Sequence, residues 1–146
     1  NIPYYITSRF LRLFLSEVKN KPALMVLMVQ KEVADRILTK DGKESMLSLS
    51  VKAYAKAKLI RKVPRGSFSP PPNVDSAIIK LVVTPLTHFT LREERAEEIL
   101  SLARIAFQQK RKMLRQSIGK KIILPKEFET KRPEELSLDD WKIILE

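Results

Sequence analysis

The sequence predicts an α/β fold, in which a sheet with helices is followed by a small all-helical domain. The apolar run at 23–29 (ALMVLMV) is typical of a strand buried on both faces, as in a parallel sheet that helices cover. Helix and strand patterns alternate in the first part of the chain, and only helical patterns follow residue 90. We therefore divide the chain into a sheet domain at 1–84 and a helical domain at 85–146, with the boundary at 84–90.

Each element of the sheet domain has its own pattern. Apolar residues at 6–18 recur at helical spacing, and Thr7 or Ser8 is the expected N-cap of this helix. Alternation at 55–63 and the β-rich segment at 76–83 predict two strands that pair antiparallel. Two further helices are predicted at 31–40 and 46–54.

The helical domain shows capping signals at both of its ends. Thr90 and Ser137 each have an acidic residue three positions further on, which is the spacing of a capping box. An apolar stripe runs into the basic segment 109–115, which is predicted to continue the same long helix. Trp141 is expected to anchor the last short helix in a core.

The charge balance indicates a polyanionic partner. Lys and Arg number 28 against 17 Asp and Glu, which gives a net charge of +11. The apolar share of 44% and the charged share of 31% are typical of a folded globular protein, so the excess charge is carried on a folded surface. The alternative is a merely soluble surface rich in Lys and Glu, as thermophilic proteins favour.

Residue types that the sequence lacks exclude several classes of site. There is no cysteine, which excludes disulfides, thiolate zinc sites and thiol nucleophiles and fits a reducing cytoplasm. No apolar run approaches the roughly 18 to 20 residues of a membrane span, so no membrane partner is expected. The single histidine, His88, lies in the linker without an assigned role, and no metal site is expected.

The chain begins with NIPYYITS, which groups two hydrogen-bond acceptors with an aromatic ring. The side-chain carbonyl of Asn1 and the main-chain carbonyl before or at Pro3 are acceptors that the stiff proline holds still. Two convergent acceptors suit an exocyclic amine, and Tyr4 offers a flat face on which a base can stack. These residues suit an adenine held by its amino group and its ring. The alternative is a plain turn with Tyr4 in the core.

Holding adenine by its amino group and its ring in this way favours transfer of a methyl group to that amino group. The N6 lone pair is delocalised into the ring, and acceptors on both amino hydrogens favour a pyramidal nitrogen and stabilise its developing positive charge. Preorganised polar groups of this kind are worth about 3 to 4 kcal/mol each at other sites. Placement in line with a sulfonium methyl group adds a proximity effect.

A second stiff loop carries another aromatic ring. The segment 64–76 (PRGSFSPPPNVDS) contains three consecutive prolines, which hold an extended backbone between two strands. Phe68 is placed to cover the opposite face of the same base, which must then be flipped out or unpaired. The alternative is that Phe68 only anchors the loop in the core.

Five blocks cover nearly the whole chain in a fixed order: NIPYYITS, LMVQKEVADRI, LSLSVKAYA, FSPPPNVDSAIIKL and AFQQKRKMLRQSI. Together they resemble the ribosomal RNA adenine N6,N6-dimethyltransferases of the bacterial KsgA type. The resemblance implies the C-terminal part of a Rossmann-like class I methyltransferase sheet followed by a small all-helical domain. It also implies dimethylation of two adjacent adenosines in a hairpin loop near the 3′ end of small-subunit ribosomal RNA, with S-adenosylmethionine as the methyl donor.

The resemblance also assigns roles to individual residues. Asn1 matches the Asn that lies at both the cofactor and the target amine, and Pro3 and Tyr4 complete this catalytic motif, with Tyr4 stacking on the adenine. Phe68 matches the aromatic residue on the opposite face of the base. The family's glycine-rich cofactor loop normally precedes this motif by several strands. We therefore expect S-adenosylmethionine to be bound mostly by a missing N-terminal half, and this chain alone to be inactive.

Basic residues cluster around the proline-rich loop and in the second half of the chain. Beside a base-binding site they are expected to contact RNA phosphates without reading sequence. A solvated face or a membrane-surface helix is the alternative. The predicted RNA-binding residues are Arg61, Lys62, Arg65, Arg104, Lys110, Arg111, Lys112, Arg115, Lys120 and Lys121.

Two rival functions stay open from the sequence. One is the related Erm-like dimethylase of large-subunit ribosomal RNA, although the triple proline and the VDSA block favour the small-subunit type. The other is a non-catalytic ribosome-assembly protein of the same fold, against which the intact Asn1, Pro3 and Tyr4 argue. The expected partner is a precursor of the small ribosomal subunit, and the full-length protein is expected to be a cytoplasmic monomer.

Overall fold

The computed structural model describes residues 1–40, 42–83 and 93–146, with the side chains of 93 and 94 left aside. The helices are α1 (Thr7–Arg12, continued by a π-helical turn at Leu13–Glu17), α2 (Lys31–Ile37), α3 (Met46–Tyr54), α4 (Glu93–Phe107), α5 (Leu114–Ser117) and α6 (Leu138–Ile144). The strands are β1 (Leu24–Gln30), β2 (Ala55–Val63) and β3 (Ser76–Val83). This α/β organisation confirms the predicted fold class.

The three strands form one sheet in the order β1–β3–β2, with β3 antiparallel to both neighbours. The predicted pairing of β2 with β3 is therefore confirmed. A bulge between Leu59 and Arg61 shifts the register along β2. At the start of β3, Ser76 lies opposite Gln30 on one side and Val63 on the other.

The expectation that the strand at 23–29 is buried on both faces is wrong. Residues along β1 alternate between exposed or half-exposed and buried positions, and Leu24 and Val26 are more than half exposed. The reason is that β1 pairs with an antiparallel neighbour and, within the described residues, helices cover one face of the sheet. An unbroken apolar run thus does not distinguish one covered face from two.

The first helix begins earlier than the sequence indicates. A 3₁₀ turn at Tyr4–Ile6 leads directly into α1, so Thr7 already lies inside helical backbone. Its hydroxyl donates to the carbonyl of Tyr4 at 3.1 Å and does not cap the helix. The prediction of Thr7 or Ser8 as N-cap is therefore wrong, because the preceding turn supplies the helix start.

The long basic helix predicted through 109–115 is also not formed. Helix α4 ends at Phe107, and the chain then turns, with the N–H of Lys112 donating to the carbonyl of Gln109 at 2.8 Å. The N–H of Leu114 donates to the carbonyl of Lys131 at 2.8 Å, and the Leu114 side chain is fully buried. This tertiary contact redirects the chain away from the axis of α4.

The core is one continuous cluster between the sheet and the helices. Trp141 is fully buried in it, and Ser137 caps α6 in a capping box with Asp140, which confirms both predictions. A second capping box, which the sequence analysis did not identify, joins Ser45 to Ser48 at the start of α3. The capping box predicted at Thr90, the linker and His88 lie outside the described residues.

A buried ion pair links the loop before α3 to α3 itself, and a main-chain hydrogen bond links the same loop to the last third of the chain. The carboxylate of Glu44 is fully buried and accepts from the ammonium of Lys52 on α3. The N–H of Glu44 donates to the carbonyl of Glu134 at 2.8 Å.

Among the described residues, no helix is long and apolar enough to cross a membrane.

We predict that Ile79→Ala in β3 lowers the free energy of unfolding by about 2 to 5 kcal/mol, because it empties a site in the close-packed core. Ile79 is 0% exposed, whereas Val82 on the same strand is 44% exposed. Val82→Ala is the matched control and should cost less than about 1 kcal/mol. Urea unfolding of both variants measures the difference, and equal losses would show that the face of Val82 is covered in solution.

Candidate functional site: a cavity between two proline-stiffened loops

The two loops singled out by the sequence meet in one cavity of about 350 Å³. Its walls come from the first residues of the chain and from the proline-rich loop, which are more than 60 positions apart in the sequence. The cavity thus brings together the acceptor motif and both aromatic residues of the predicted site. The lining residues are Asn1, Ile2, Pro3, Tyr4, Phe68, Pro70 and Pro72.

The main-chain hydrogen bonds of the first wall identify which carbonyl is available as an acceptor. The carbonyl of Pro3 accepts from the N–H of Ile6 at 3.2 Å and closes the 3₁₀ turn. Among the described residues, the carbonyl of Ile2 accepts no main-chain hydrogen bond. The Asn1 side chain is exposed. Of the acceptors that the sequence singles out, the side-chain carbonyl of Asn1 and the main-chain carbonyl of Ile2 therefore remain available to a ligand.

The Tyr4 ring is tethered at its far end. Its hydroxyl and the hydroxyl of Ser76 share a hydrogen bond of 2.5 Å. Ser76 is fully buried at the start of β3, while Tyr4 is half-buried with its ring in the cavity wall. The first wall is thereby fixed to the central strand of the sheet.

The second wall is held by Asp75, the residue before β3. Its carboxylate accepts from the N–H of Arg65 at 2.9 Å, and its carbonyl accepts from the N–H of Lys31 at 2.9 Å. The first bond closes the base of the loop that carries Phe68, and the second ties the loop to the start of α2. The Ser69–Pro70 peptide bond within the loop is cis.

The cavity lies at the edge of the sheet where ligands of α/β proteins usually bind. Ser76, which anchors Tyr4, pairs with Gln30, the last residue of β1. The loops therefore lie beyond the carboxyl end of β1, the side on which open α/β sheets bind ligands. Position and lining make this cavity the candidate binding site.

The pKa of one residue at this edge of the sheet, Lys31, is raised. The ammonium of Lys31 donates to the carboxylate of Asp35 at 2.6 Å. This hydrogen bond and the charge of Asp35 raise the pKa of Lys31 above its ordinary value. Because the ordinary pKa is already basic, Lys31 keeps its positive charge throughout the neutral range.

All ten of the predicted RNA-binding residues are exposed, but they lie on different elements. Arg61 and Lys62 are on β2, and Arg65 is in the turn before Phe68. Arg104 is on α4 and lines a second cavity of about 700 Å³ among α1, α3 and α4, so it does not contact the first cavity. The remaining six lie in the turns after α4 and on α5: Lys110, Arg111, Lys112, Arg115, Lys120 and Lys121.

Sequence reasoning assigned no role to three residues of the site and left one choice open. Pro70 and Pro72 line the cavity, and Ser76 anchors Tyr4. The prolines lie in the loop that is notable for its stiffness, so their position carries a signal. The sequence leaves open whether the carbonyl before or at Pro3 is the acceptor, and it gives no signal for the role of Ser76, because the availability of a carbonyl and the pairing of two distant hydroxyls depend on the fold. Within the described residues, no group of three or more acidic or histidine side chains is placed to bind a metal ion.

Comparison with solved structures defines the class of protein. A crystal structure of a dimethyladenosine transferase from Plasmodium falciparum matches with a TM-score of 0.81 and 29% identity, over 99% of this chain and 63% of that protein. The crystal structure of the 23S rRNA methyltransferase ErmE matches with a TM-score of 0.72, over 98% of this chain and 61% of that protein. At 23% identity the second likeness shows the fold alone. The chain has the fold of an RNA methyltransferase.

Sequence comparison then defines the family. The sequence profile described as ribosomal RNA adenine dimethylase matches residues 1–139. The chain belongs to the ribosomal RNA adenine dimethylase family, which confirms the resemblance drawn from the five blocks.

Two curated relatives show how much of such a protein the chain represents. The ribosomal RNA small subunit methyltransferase A of Dehalococcoides mccartyi strain CBDB1 is 43% identical over 97% of this chain and 52% of that protein. The protein of the same name from Desulfitobacterium hafniense strain DSM 10664 / DCB-2 is 35% identical over 100% of this chain and 56% of that protein. The chain spans about half the length of the curated relatives it matches.

We predict that Asp75→Ala loosens the loop that carries Phe68. Loss of the carboxylate removes the acceptor for the N–H of Arg65, so amide hydrogen exchange at Arg65 should accelerate about tenfold, the effect of losing one such hydrogen bond. Asp139→Ala is the control, since Asp139 is an exposed carboxylate on α6 that pairs with Lys142. Unchanged exchange at Arg65 in Asp75→Ala would contradict this account of the loop.

Proposed function

We propose that the protein to which these residues belong transfers methyl groups to the N6 amine of adenosine in small-subunit ribosomal RNA. The observation that carries the proposal is the cavity that combines two open acceptors with two aromatic side chains. Membership of the ribosomal RNA adenine dimethylase family supports both the reaction and the class of substrate. The names of the two curated relatives support the small subunit as the source of the RNA.

The two acceptors supply the electrostatic part of the reaction. The Asn1 side-chain carbonyl and the Ile2 main-chain carbonyl each accept one hydrogen of the adenine amine in this proposal. Their partial negative charges favour a nitrogen with a localised lone pair and stabilise the positive charge that develops as the new N–C bond forms. The methylated amine then releases its proton to these acceptors or to water. Pro3, which the sequence predicts as a catalytic residue, contributes by holding the Ile2 carbonyl in place.

The two aromatic side chains hold the base in this proposal. Tyr4 and Phe68 line the same cavity from separate loops, so an adenine that enters between them is stacked on both faces. Stacking on an aromatic side chain is worth about 1 to 3 kcal/mol per base. A base inside a duplex cannot reach this position, so the substrate is an unpaired or flipped adenosine. An unpaired adenosine in a hairpin loop meets this requirement.

S-adenosylmethionine, when bound, supplies the sulfonium methyl group. Among the described residues, the one that fits it is Asn1, whose exposed side chain carries both donors and an acceptor at the carboxyl edge of the sheet. The rest of the cofactor site is expected in the half of the protein that this chain does not span. Two successive transfers to the same nitrogen give the dimethylated base, and adjacent adenosines are the expected pair.

The exposed basic residues supply affinity for RNA. They lie on β2, α4 and α5 and in the turns between elements, and in this proposal they neutralise phosphates without reading bases. This fits a folded precursor of the small ribosomal subunit as the substrate, met by a cytoplasmic and monomeric enzyme. No feature of the described residues favours large-subunit RNA or a purely structural assembly role over this reaction.

We predict that Asn1→Ala in the natural full-length protein lowers methyl transfer to undermethylated small subunits by about 100- to 1000-fold, the usual loss for one preorganised polar group. Asn20→Ala makes the same chemical change at an exposed loop position away from the cavity and should retain full activity. Incorporation of labelled methyl groups measures both. Retained activity in Asn1→Ala would overturn the role proposed for this residue.

We predict that RNA binding weakens steeply with salt and that the basic turn after α4 contributes to this dependence. Lys110→Gln combined with Lys112→Gln should reduce the slope of log affinity against log salt by about 1 to 2 units, as expected for the loss of up to two phosphate contacts. Lys40→Gln with Lys43→Gln removes the same charge outside the predicted set and should change the slope less. Equal changes in slope would show that the basic turn makes no particular contact with RNA.

A further inference from the structure

We propose that Ser76 is a positioning residue, which fixes the far end of the Tyr4 ring and thereby one side of the gap into which the target base fits. The inference rests on the proposed function, since it gives Tyr4 the role of a stacking surface. It assigns a task to a buried hydroxyl that does not itself face the cavity.

The geometry that carries the inference is the contact between the two hydroxyls. Tyr4 and Ser76 are 72 positions apart, yet their oxygens lie 2.5 Å from each other. Ser76 has no exposed surface. A buried hydroxyl without a hydrogen-bond partner lowers the stability of the fold. The contact with Tyr4 therefore also satisfies the buried hydroxyl of Ser76.

The anchor itself is rigid. Ser76 is the first residue of the central strand and pairs with Gln30 of β1 and Val63 of β2. Its neighbour Asp75 is fixed through the main chain of Lys31 and Arg65. The main chain of Ser76 therefore cannot shift without disturbing both strand pairings.

A tether at this point restrains the direction of the whole side chain. The hydroxyl oxygen of a tyrosine moves with the first side-chain torsion, so a hydrogen bond at the far end of the ring restricts that torsion, whereas the second torsion only turns the ring about an axis through the same oxygen. The loop that carries Phe68 ends at Asp75 and Ser76. Both walls of the cavity are therefore attached at the start of β3.

The consequence for the reaction is orientation of the amine. Stacking against a fixed ring places the adenine amine at the acceptors of Asn1 and Ile2 before methyl transfer. A free ring would still stack on the base, so binding would persist while the amine is misplaced. Misplacement by about 1 Å can cost as much as 100-fold in rate.

A double-mutant cycle on the natural full-length protein tests the inference. The four proteins are the wild type, Tyr4→Phe, Ser76→Ala and the double variant. Each single change removes one hydroxyl and retains both the aromatic ring and the strand residue. We expect each single variant to lower kcat by about 10- to 100-fold with little change in the KM for RNA. We expect the double variant to be no slower than the slower single variant, because both changes remove the same contact.

Two matched controls separate positioning from general loss of hydroxyls. Tyr5→Phe removes the hydroxyl of the neighbouring tyrosine, which is 89% exposed. Ser67→Ala removes the hydroxyl of an exposed serine in the turn before Phe68. Both should retain wild-type kcat, and thermal unfolding of every variant checks that the fold is kept.

The outcomes separate this inference from the proposed function. If Asn1→Ala is inactive but Tyr4→Phe and Ser76→Ala have multiplicative effects, the reaction stands and the positioning role of Ser76 is overturned. Unchanged kcat in Ser76→Ala, with only the unfolding temperature lowered, also overturns it. If Asn1→Ala keeps full activity, the proposed function fails and the positioning role fails with it.

Discussion

The pairing of β3 with both of its neighbours is the constraint on which the rest of the structure depends. It fixes the position of Ser76 and Asp75 at the edge of the sheet, and from these two residues each wall of the cavity is held. The wall that contains Tyr4 is fixed through a side chain, and the wall that contains Phe68 through the base of its loop. The site is assembled from two distant segments, and the central strand holds both of them in place.

Charge is arranged differently from the apolar core. The buried carboxylate of Glu44 is paired with Lys52, while the ten basic residues assigned to RNA are all exposed. Several of them are in turns, where side chains are less constrained than on a helix face. Such an arrangement suits contact with the irregular backbone of a folded RNA, which offers phosphates in no fixed repeat.

Much of the fold and of the site could be predicted because the signals were local. The pairing of β2 with β3 followed from alternation and from β-rich composition, and the cap of α6 from the spacing of Ser137 and its acidic partner. The motif that contains Asn1 and the stiff loop around Phe68, both recognisable in the sequence, form the two walls of the cavity. Each of these signals lies within about ten residues of sequence.

What the sequence did not reveal depends on contacts between distant segments. The end of α4 at Phe107 follows from burial of Leu114, and the exposed face of β1 follows from which side the helices cover. The tether between Tyr4 and Ser76 joins residues from opposite ends of the sheet domain. No local pattern encodes such a pair, since serine and tyrosine hydroxyls find partners in many environments.

The two hydrogen bonds at Asp75 restrict substitution at position 75 more than at the positions of their donors. Lys31 and Arg65 contribute only their main-chain N–H groups, which every residue type except proline possesses. Their side chains are therefore free to change in size and charge without moving the loop, whereas the carboxylate at position 75 has few equivalents. These two positions can thus be adapted to different surroundings while the geometry of the cavity that is proposed to bind the base stays the same.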